Sequence, residues 1–164
     1  MAEELSEVTR LHHAGQSEAA LQRADKYLAT KPKDAQMRFL KSVVLADTGR
    51  RREATALLEQ LVQDYPELPE PHNNLAALYA ASGEYGNARA ELEESLRLNP
   101  NYATANENLG DVYTMLAGQS YGRALKLDPS STSVPRKLAL VRQVAQAATP
   151  SSAPLPAIAA SAAR

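Results

Sequence analysis

The chain has no cysteine, no tryptophan and a single phenylalanine among its 164 residues. Without cysteine it has no disulfide framework, thiolate zinc site, iron–sulfur cluster or thiol nucleophile. The lack of cysteine fits a reducing or an oxidising compartment equally well, so it does not place the protein. The scarcity of large aromatic residues argues against one dense globular core. Alanine and leucine dominate the apolar residues instead, which is typical of helices packed at close range.

The chain also lacks a large net charge, because it contains 18 Lys and Arg and 19 Asp and Glu, which gives a net charge of −1. Nonspecific nucleic-acid binding needs a basic surface, so we expect no nucleic-acid partner. No run of residues approaches the roughly 18 apolar residues of a membrane span, and the N-terminus lacks the pattern of a signal peptide. We expect a soluble protein, cytoplasmic at face value; the alternative is periplasmic, if a leader was removed.

Glycine and proline are few, at 7 and 10 residues, but several of them recur at a fixed interval. Three columns of residues share a spacing of 34 and stay in phase. Such columns identify an internal repeat with units 1–34, 35–68 and 69–102 and a shortened fourth unit, 103–129. The columns are Gly15, Gly49 and Gly83; Ala20, Ala54 and Ala88; and Pro32, Pro66 and Pro100.

Each unit is predicted to form two helices. In the third unit, Leu75, Leu78 and Tyr79 have the i, i+3, i+4 spacing of an amphipathic helix. Gly83 supplies the turn that ends this helix, and Pro100 follows the end of the second. The alanine column gives each hairpin a small residue where its two helices cross closely.

The repeat resembles the tetratricopeptide repeat (TPR), a helix–turn–helix unit with small and apolar residues at set positions. The third unit matches best and the first is weaker, with Glu4 and Glu7 where apolar residues are usual. The resemblance covers residues 1–129, extends to small TPR proteins of proteobacteria, and implies an all-α, right-handed α-solenoid of stacked hairpins. The matching positions of the third unit are Leu75, Ala76, Tyr79, Gly83, Tyr85, Ala88, Leu92, Leu96 and Pro100.

The aromatic residue that the family often carries near the start of each unit is absent. Glu4, Arg38, His72 and Asn106 stand in its place. We expect weaker packing at these positions, without consequence for the family resemblance.

The fourth unit is short, because Pro100 and Pro129 are 29 residues apart. In one alternative, the AGQS segment after Leu116 forms a tight turn before a short second helix. In the other, the apolar stripe continues in phase as one helix over about 105–127, opposed by up to about 1 kcal/mol at each of two glycines. We favour the continuous helix, which would cover the last hairpin.

The end of the chain is predicted to form a C-terminal capping helix over about 133–148, with Ser133 as N-cap and Pro135 in its first turn. The TPR domain is thus expected to span 1–148. Residues 149–164 are mostly alanine, proline and serine, and we expect a disordered tail or linker there.

The sequence offers little for catalysis. The only histidines are His12, His13 and His72, and the adjacent pair points in different directions on a helix. Neither a nucleophile elbow nor a phosphate-binding glycine motif is present. We expect a protein that is not an enzyme and has no cofactor and no metal.

Binding is the function that remains, since the first helices of stacked hairpins line a concave groove suited to a peptide or a helix. The TPR resemblance assigns ligand contacts to particular first-helix positions. In this chain they describe a groove with an apolar middle, negative charge and no Lys or Arg. These positions are Leu5, Thr9 and His12 in the first unit; Phe39, Val43, Ala46 and Asp47 in the second; Asn73, Asn74, Ala77, Ala80 and Ala81 in the third; and Glu107, Asp111 and Thr114 in the fourth.

We expect a non-catalytic adaptor that binds an apolar or basic segment of a partner protein, with Phe39 and the alanines supplying contact area. A carboxylate clamp of the kind some TPR proteins use for acidic chaperone tails is disfavoured, because only Asn74 fits it. Two alternatives remain open. The chain could self-associate through its terminal faces as a structural component, although we favour a monomer, or it could be the interaction module of a larger enzyme or secretion complex.

Overall fold

The computed structural model describes residues 2–148, and every regular element in this range is an α-helix. Consecutive helices pack as hairpins, each hairpin packs on the next, and α7 packs on both α6 and α8, which makes the fold an α-solenoid. The tail expected over 149–164 lies outside the described residues. The helices are α1 (Ala2–His13), α2 (Ser17–Thr30), α3 (Ala35–Asp47), α4 (Arg51–Asp64), α5 (Pro69–Ala81), α6 (Tyr85–Leu98), α7 (Ala103–Leu127) and α8 (Val134–Ala147).

The repeated glycines end the first helix of each of the three hairpins. Gly15, Gly49 and Gly83 adopt φ angles of 74°, 78° and 77°, in the left-handed region. In all three turns the residue after the glycine donates its N–H to the carbonyl five residues earlier at 2.9 Å. This is the Schellman pattern of helix termination, so the glycine column marks the turns, as the sequence predicted.

The alanine column lies in the apolar core of the hairpins. Ala20, Ala54 and Ala88 are all fully buried, with no exposed surface. A first core cluster extends from α1 to α5 and a second from α5 to α7, so the apolar interior follows the stack of hairpins. None of the helices within 2–148 combines the length and apolar character of a membrane span.

Ion pairs occupy the positions where the family often has an aromatic residue. In each of the first three units, the polar residue at this position of the first helix binds a residue of the second helix. The expected loss of packing is therefore accompanied by a polar link across each hairpin. The pairs are Glu4–Arg23 at 2.9 Å, Arg38–Asp64 at 2.7 Å and His72–Glu91 at 2.6 Å.

The fourth unit is one helix, α7, which runs unbroken from Ala103 to Leu127. The tight turn of the other alternative is absent. A Cβ atom at Gly118 would lie 3.6 Å from Val141 Cγ1, so this glycine sits at the contact between α7 and α8. Asn106 donates to the carbonyl of Tyr102 at 3.4 Å, rather than to a second helix.

The capping helix α8 packs along α7 and buries Leu138. Ser133 is at the N-cap position, but its side chain makes no capping hydrogen bond. Ser131 Oγ accepts from the N–H of Val134 at 3.3 Å instead. Ser133 is thus the N-cap residue, as the sequence predicted, while the side-chain hydrogen bond at this helix end comes from Ser131.

Candidate partner-binding groove

A cavity of about 440 Å³ opens between α5, α7 and the C-terminal end of α8. α5 and α7 are the first helices of the third and fourth units, so the cavity lies along helices that the TPR resemblance assigns to the groove. Its volume falls in the range of about 300–1,000 Å³ that is typical of ligand pockets.

Four alanines of α5 form one side of this cavity, and we call them the alanine floor. Their methyl groups leave space beside the helix that longer side chains would fill. Ala77 and Ala81 are exposed, whereas Ala76 is fully buried. Because the floor presents no polar side chain, covering it breaks no side-chain hydrogen bond to water. The alanine floor consists of Ala76, Ala77, Ala80 and Ala81.

Another part of the wall comes from α7 and includes Asp111, which carries a carboxyl group. Burial raises the pKa of Asp111, and the charge of the nearby Glu107 raises it further. The carboxylate is thus an unfavourably placed charge that a cation would stabilise. The α7 residues that line the cavity are Asn108, Asp111, Val112 and Met115.

A chain of amide side chains joins α5 to α7 at the edge of the cavity. Asn73 is buried and accepts a hydrogen bond from Asn108 Nδ2 at 2.9 Å. Its own Nδ2 donates to Asn74 Oδ1 at 3.2 Å. The Asn108–Asn73 bond links α7 to α5, and neither Asn73 nor Asn74 lines the cavity.

Three parts of the cavity wall lie outside the first helices to which the groove was assigned. One is α6, through Tyr85 and Leu92. Arg51, the first residue of α4, also lines the cavity and adds a basic group that the assigned first-helix positions lack. Ala145 and Ala148, at the end of α8, also line it. The capping helix therefore covers α7 and, in addition, forms one boundary of the candidate site.

Four of the predicted groove residues line the cavity, namely Ala77, Ala80, Ala81 and Asp111. The other predicted groove residues do not line it. Of those residues, Ala46 packs against the first core cluster, and Thr114 Oγ1 donates to the carbonyl of Gly110 at 2.9 Å. Glu107 is exposed and acts on the cavity through the pKa of Asp111.

Three predicted groove residues are buried. Phe39, Val43 and Asn73 expose 7%, 8% and 2% of their surface. Phe39 and Val43 belong to the first core cluster, because α3 packs against α1 as well as against its hairpin partner α4. The expectation that Phe39 supplies contact area to a partner does not hold for a side chain buried to this extent.

Asp47 is engaged by a residue of the first unit. Its Oδ2 lies 2.8 Å from His12 Nε2, and His12 Nδ1 lies 3.1 Å from Ser17 Oγ. These hydrogen bonds link the first hairpin to α3, so the Asp47 carboxylate already has a partner in His12.

The other two predicted positions of the first unit also have partners within the protein. Leu5 packs against the first core cluster, and Thr9 Oγ1 donates to the carbonyl of Leu5. Within 2–148, no group of three or more His, Asp or Glu side chains is arranged to hold a metal ion.

Two curated relatives share part of their sequence with this chain. The TPR repeat-containing thioredoxin TTL4 of Arabidopsis thaliana is 37% identical over 73 residues, which is 44% of this chain and 11% of TTL4. The probable biofilm formation methyltransferase WspC of Pseudomonas putida is 31% identical over 96 residues, which is 58% of this chain and 23% of WspC. The chain thus spans less than a quarter of the length of either relative.

Solved structures share the fold. TTC0263, a thermophilic TPR protein of Thermus thermophilus, superimposes with a TM-score of 0.65 at 22% identity, covering 87% of this chain and 81% of that one. The first TPR domain of Spaghetti (RPAP3), bound to the HSP90 peptide SRMEEVD, gives a TM-score of 0.50 at 21% identity, covering 68% of this chain and 95% of that one.

Family models agree with the internal repeat. A model described as tetratricopeptide repeat matches residues 10–71, and one described as TPR repeat matches residues 78–116. Together they cover more than half of the chain, and the structure has the stacked hairpins of the fold. The chain belongs to the tetratricopeptide repeat family.

Proposed function

We propose that this TPR domain is a non-catalytic adaptor, and that the cavity between α5, α7 and α8 binds a segment of a partner protein. TPR repeats form protein-interaction modules. The observation that carries the proposal is that the alanine floor and Asp111 line the same open cavity of about 440 Å³. The segment that fits it combines a large apolar side chain with a Lys or Arg.

The apolar part of the ligand follows from the floor and the volume. A side chain such as Phe or Leu fills the space left by the alanine methyl groups and removes apolar surface from water on both partners. Burial of this kind contributes about 25 cal/mol for each Å² removed from water, before the costs of association are subtracted. Burial of an apolar side chain against the alanine floor thus contributes affinity for the segment.

The basic part follows from Asp111. A cation of the partner would stabilise the carboxylate that burial and Glu107 disfavour, whereas Arg51 of α4, in another part of the cavity wall, would repel it. The two charged residues would therefore orient the segment, with its cation toward α7. The HSP90 peptide bound by the RPAP3 domain is rich in acidic residues. We propose the opposite charge preference for this groove.

Peptide selection tests the proposal. Short random peptides displayed on phage are selected on the immobilised full chain, and the enriched sequences are synthesised and titrated. Peptides should combine a large apolar residue with a neighbouring Lys or Arg. Ala77→Trp fills the cavity from the exposed floor and should weaken binding by at least about tenfold, a cost of about 1.4 kcal/mol.

The matched control is Ala90→Trp, an exposed alanine on α6 that does not line the cavity. It should leave peptide affinity unchanged. Enrichment of acidic peptides, or equal loss of binding in both variants, would overturn the assignment of this site.

A further inference from the structure

The C-terminal helix carries large apolar side chains on its exposed side. Within 2–148 the well-exposed large hydrophobic residues are Tyr113, Leu127, Leu140 and Val144, with 47%, 87%, 54% and 55% of their surface accessible. Leu140 and Val144 are one helical turn apart on α8 and form a continuous ridge. Leu138 of the same helix is buried against α7, so this ridge is distinct from the face that anchors α8.

The same part of the molecule is strongly basic. Residues 118–148 contain five Lys and Arg and one Asp, a net charge of +4, whereas residues 2–117 contain 12 Lys and Arg and 18 Asp and Glu, a net charge of −6. The near-neutral total therefore conceals a separation of charge along the solenoid.

These basic residues have no carboxylate partners in the described part of the chain. Every ion pair there lies between Glu4 and Arg97, within the first three hairpins. Lys137 Nζ lies 6.0 Å from the centre of the Tyr121 ring, an aromatic contact that leaves its charge uncompensated. Positive charge on this scale attracts acidic ligands.

Arg136 and Lys137 lie four and three residues before Leu140, which puts them on the same side of α8 as the apolar ridge. Both are exposed. We define the α8 surface as Arg136, Lys137, Leu140 and Val144. It combines two cations near the start of the helix with two apolar side chains toward its end.

We propose that the α8 surface binds an acidic amphipathic helix of a partner protein. The leucine–valine ridge packs into the apolar face of such a helix, as ridges pack into grooves between helices, while Glu or Asp beside that face neutralises Arg136 and Lys137. A second copy of α8 fits poorly, because two paired α8 surfaces would contain four cations and no carboxylate to neutralise them. None of the four residues of this surface lines the cavity, and the surface selects the opposite charge.

A pair of designed peptides tests this inference. One is a fluorescein-labelled helix with leucines along one face and glutamates elsewhere, and the other has lysine at every glutamate position. The full chain should bind the glutamate peptide, with an affinity that falls as salt is added. Arg136→Glu/Lys137→Glu and Leu140→Ser/Val144→Ser should each weaken binding by about tenfold or more in fluorescence anisotropy.

The matched control for charge is Lys26→Glu/Arg52→Glu, which makes the same change in net charge at exposed positions on α2 and α4. It should bind as the wild type does, and Ala77→Trp should too, since the cavity is not used. Circular dichroism checks that each variant folds.

Three results would overturn the inference. The glutamate peptide does not bind, the lysine peptide binds as tightly as the glutamate peptide, or Lys26→Glu/Arg52→Glu loses as much affinity as Arg136→Glu/Lys137→Glu. Two further outcomes would point to a different occupant. Tighter binding to phosphatidylglycerol vesicles than to the glutamate peptide would indicate a membrane surface. A dimer in light scattering that becomes a monomer in Leu140→Ser/Val144→Ser would indicate a second copy of the chain.

Discussion

Three glycines adopt backbone conformations that other residues tolerate poorly. Gly15, Gly49 and Gly83 hold positive φ angles, and a Cβ atom built on any of them would meet nothing within 4 Å. Space is therefore available for a side chain, and only the backbone conformation demands glycine. The left-handed region costs an L-residue about 1–2 kcal/mol.

We predict that Gly83→Ala lowers the free energy of unfolding by about 1–2 kcal/mol, because alanine must adopt the strained conformation of the α5–α6 turn. The change is measured by urea denaturation. Gly86→Ala is the matched control: this glycine lies in the first turn of α6, at a negative φ and with equally open space. It should be neutral or stabilise by up to about 1 kcal/mol. Equal destabilisation by both changes would contradict the conformational explanation.

The repeated residues were predictable, and their polar neighbours were not. Glycine and alanine recur every 34 residues because each hairpin needs the same turn and the same close crossing. Glu4–Arg23 and His72–Glu91 occupy equivalent positions of the first and third units, because both residues of one pair lie 68 residues, or two periods, from those of the other. Arg38 of the second unit pairs instead with Asp64, at a different position of the repeat. The period therefore relates two of the pairs, but it does not identify the partner of each polar residue.

Ion pairs link the two helices of several hairpins, and within residues 2–148 the most buried one lies in the α5–α6 hairpin. His72 Nδ1 lies 2.6 Å from Glu91 Oε2, and Nε2 lies 3.3 Å from the carbonyl oxygen of Pro66. Both partners are acceptors, so only the doubly protonated ring satisfies both. Burial lowers the pKa of His72, but the hydrogen bond and charge of Glu91 together with the Pro66 carbonyl outweigh it, and the pKa is raised.

This shift gives a pH dependence with a defined sign. A histidine whose pKa is raised in the folded state contributes stability that is complete below its unfolded pKa, about 6.5, and is lost as the pH rises through the folded value. His72→Gln should therefore lower the free energy of unfolding by about 1–3 kcal/mol near pH 6 and by less near pH 9. Urea denaturation of both proteins across this range measures the difference. A deficit that stays constant with pH, or grows as the pH rises, would show that the imidazolium is not the stabilising form.

The last two elements differ in how well the sequence predicted them. The continuous apolar stripe predicted α7 as one helix, because a helix propagates through Gly118 and Gly122 when tertiary contacts offset their propensity. The contact of α8 with the cavity through Ala145 and Ala148 was not predictable. It depends on how a non-repeating helix folds back along α7, which periodicity does not encode.

At the scale of the molecule, charge is divided between two regions. Residues 69–117, which include α5, α6 and most of the α7 cavity wall, contain two basic and seven acidic residues. Residues 118–148 are basic, as described above. The candidate cavity therefore lies in an acidic region beside a basic end, and the two surfaces are expected to select partners of opposite charge.

The position of the candidate site was predictable in part. The first helices of the third and fourth units do line a cavity, and the alanine floor and Asp111 belong to it. Family positions failed in the second unit, where Phe39 and Val43 are buried by packing of α3 between its neighbours. Sequence position along a repeat assigns a helix face, while the neighbouring units decide whether that face remains open.

The central claim is that a partner segment occupies the cavity, and amide chemical shifts test it most directly. A ¹⁵N-labelled full chain is titrated with a peptide selected on the wild type, and shift changes are mapped by residue. We predict that the largest changes fall on Ala77, Ala81, Asp111 and Met115 and at the end of α8, and that they vanish in Ala77→Trp. Changes centred on α1–α4, or the same changes in Ala77→Trp, would contradict the account.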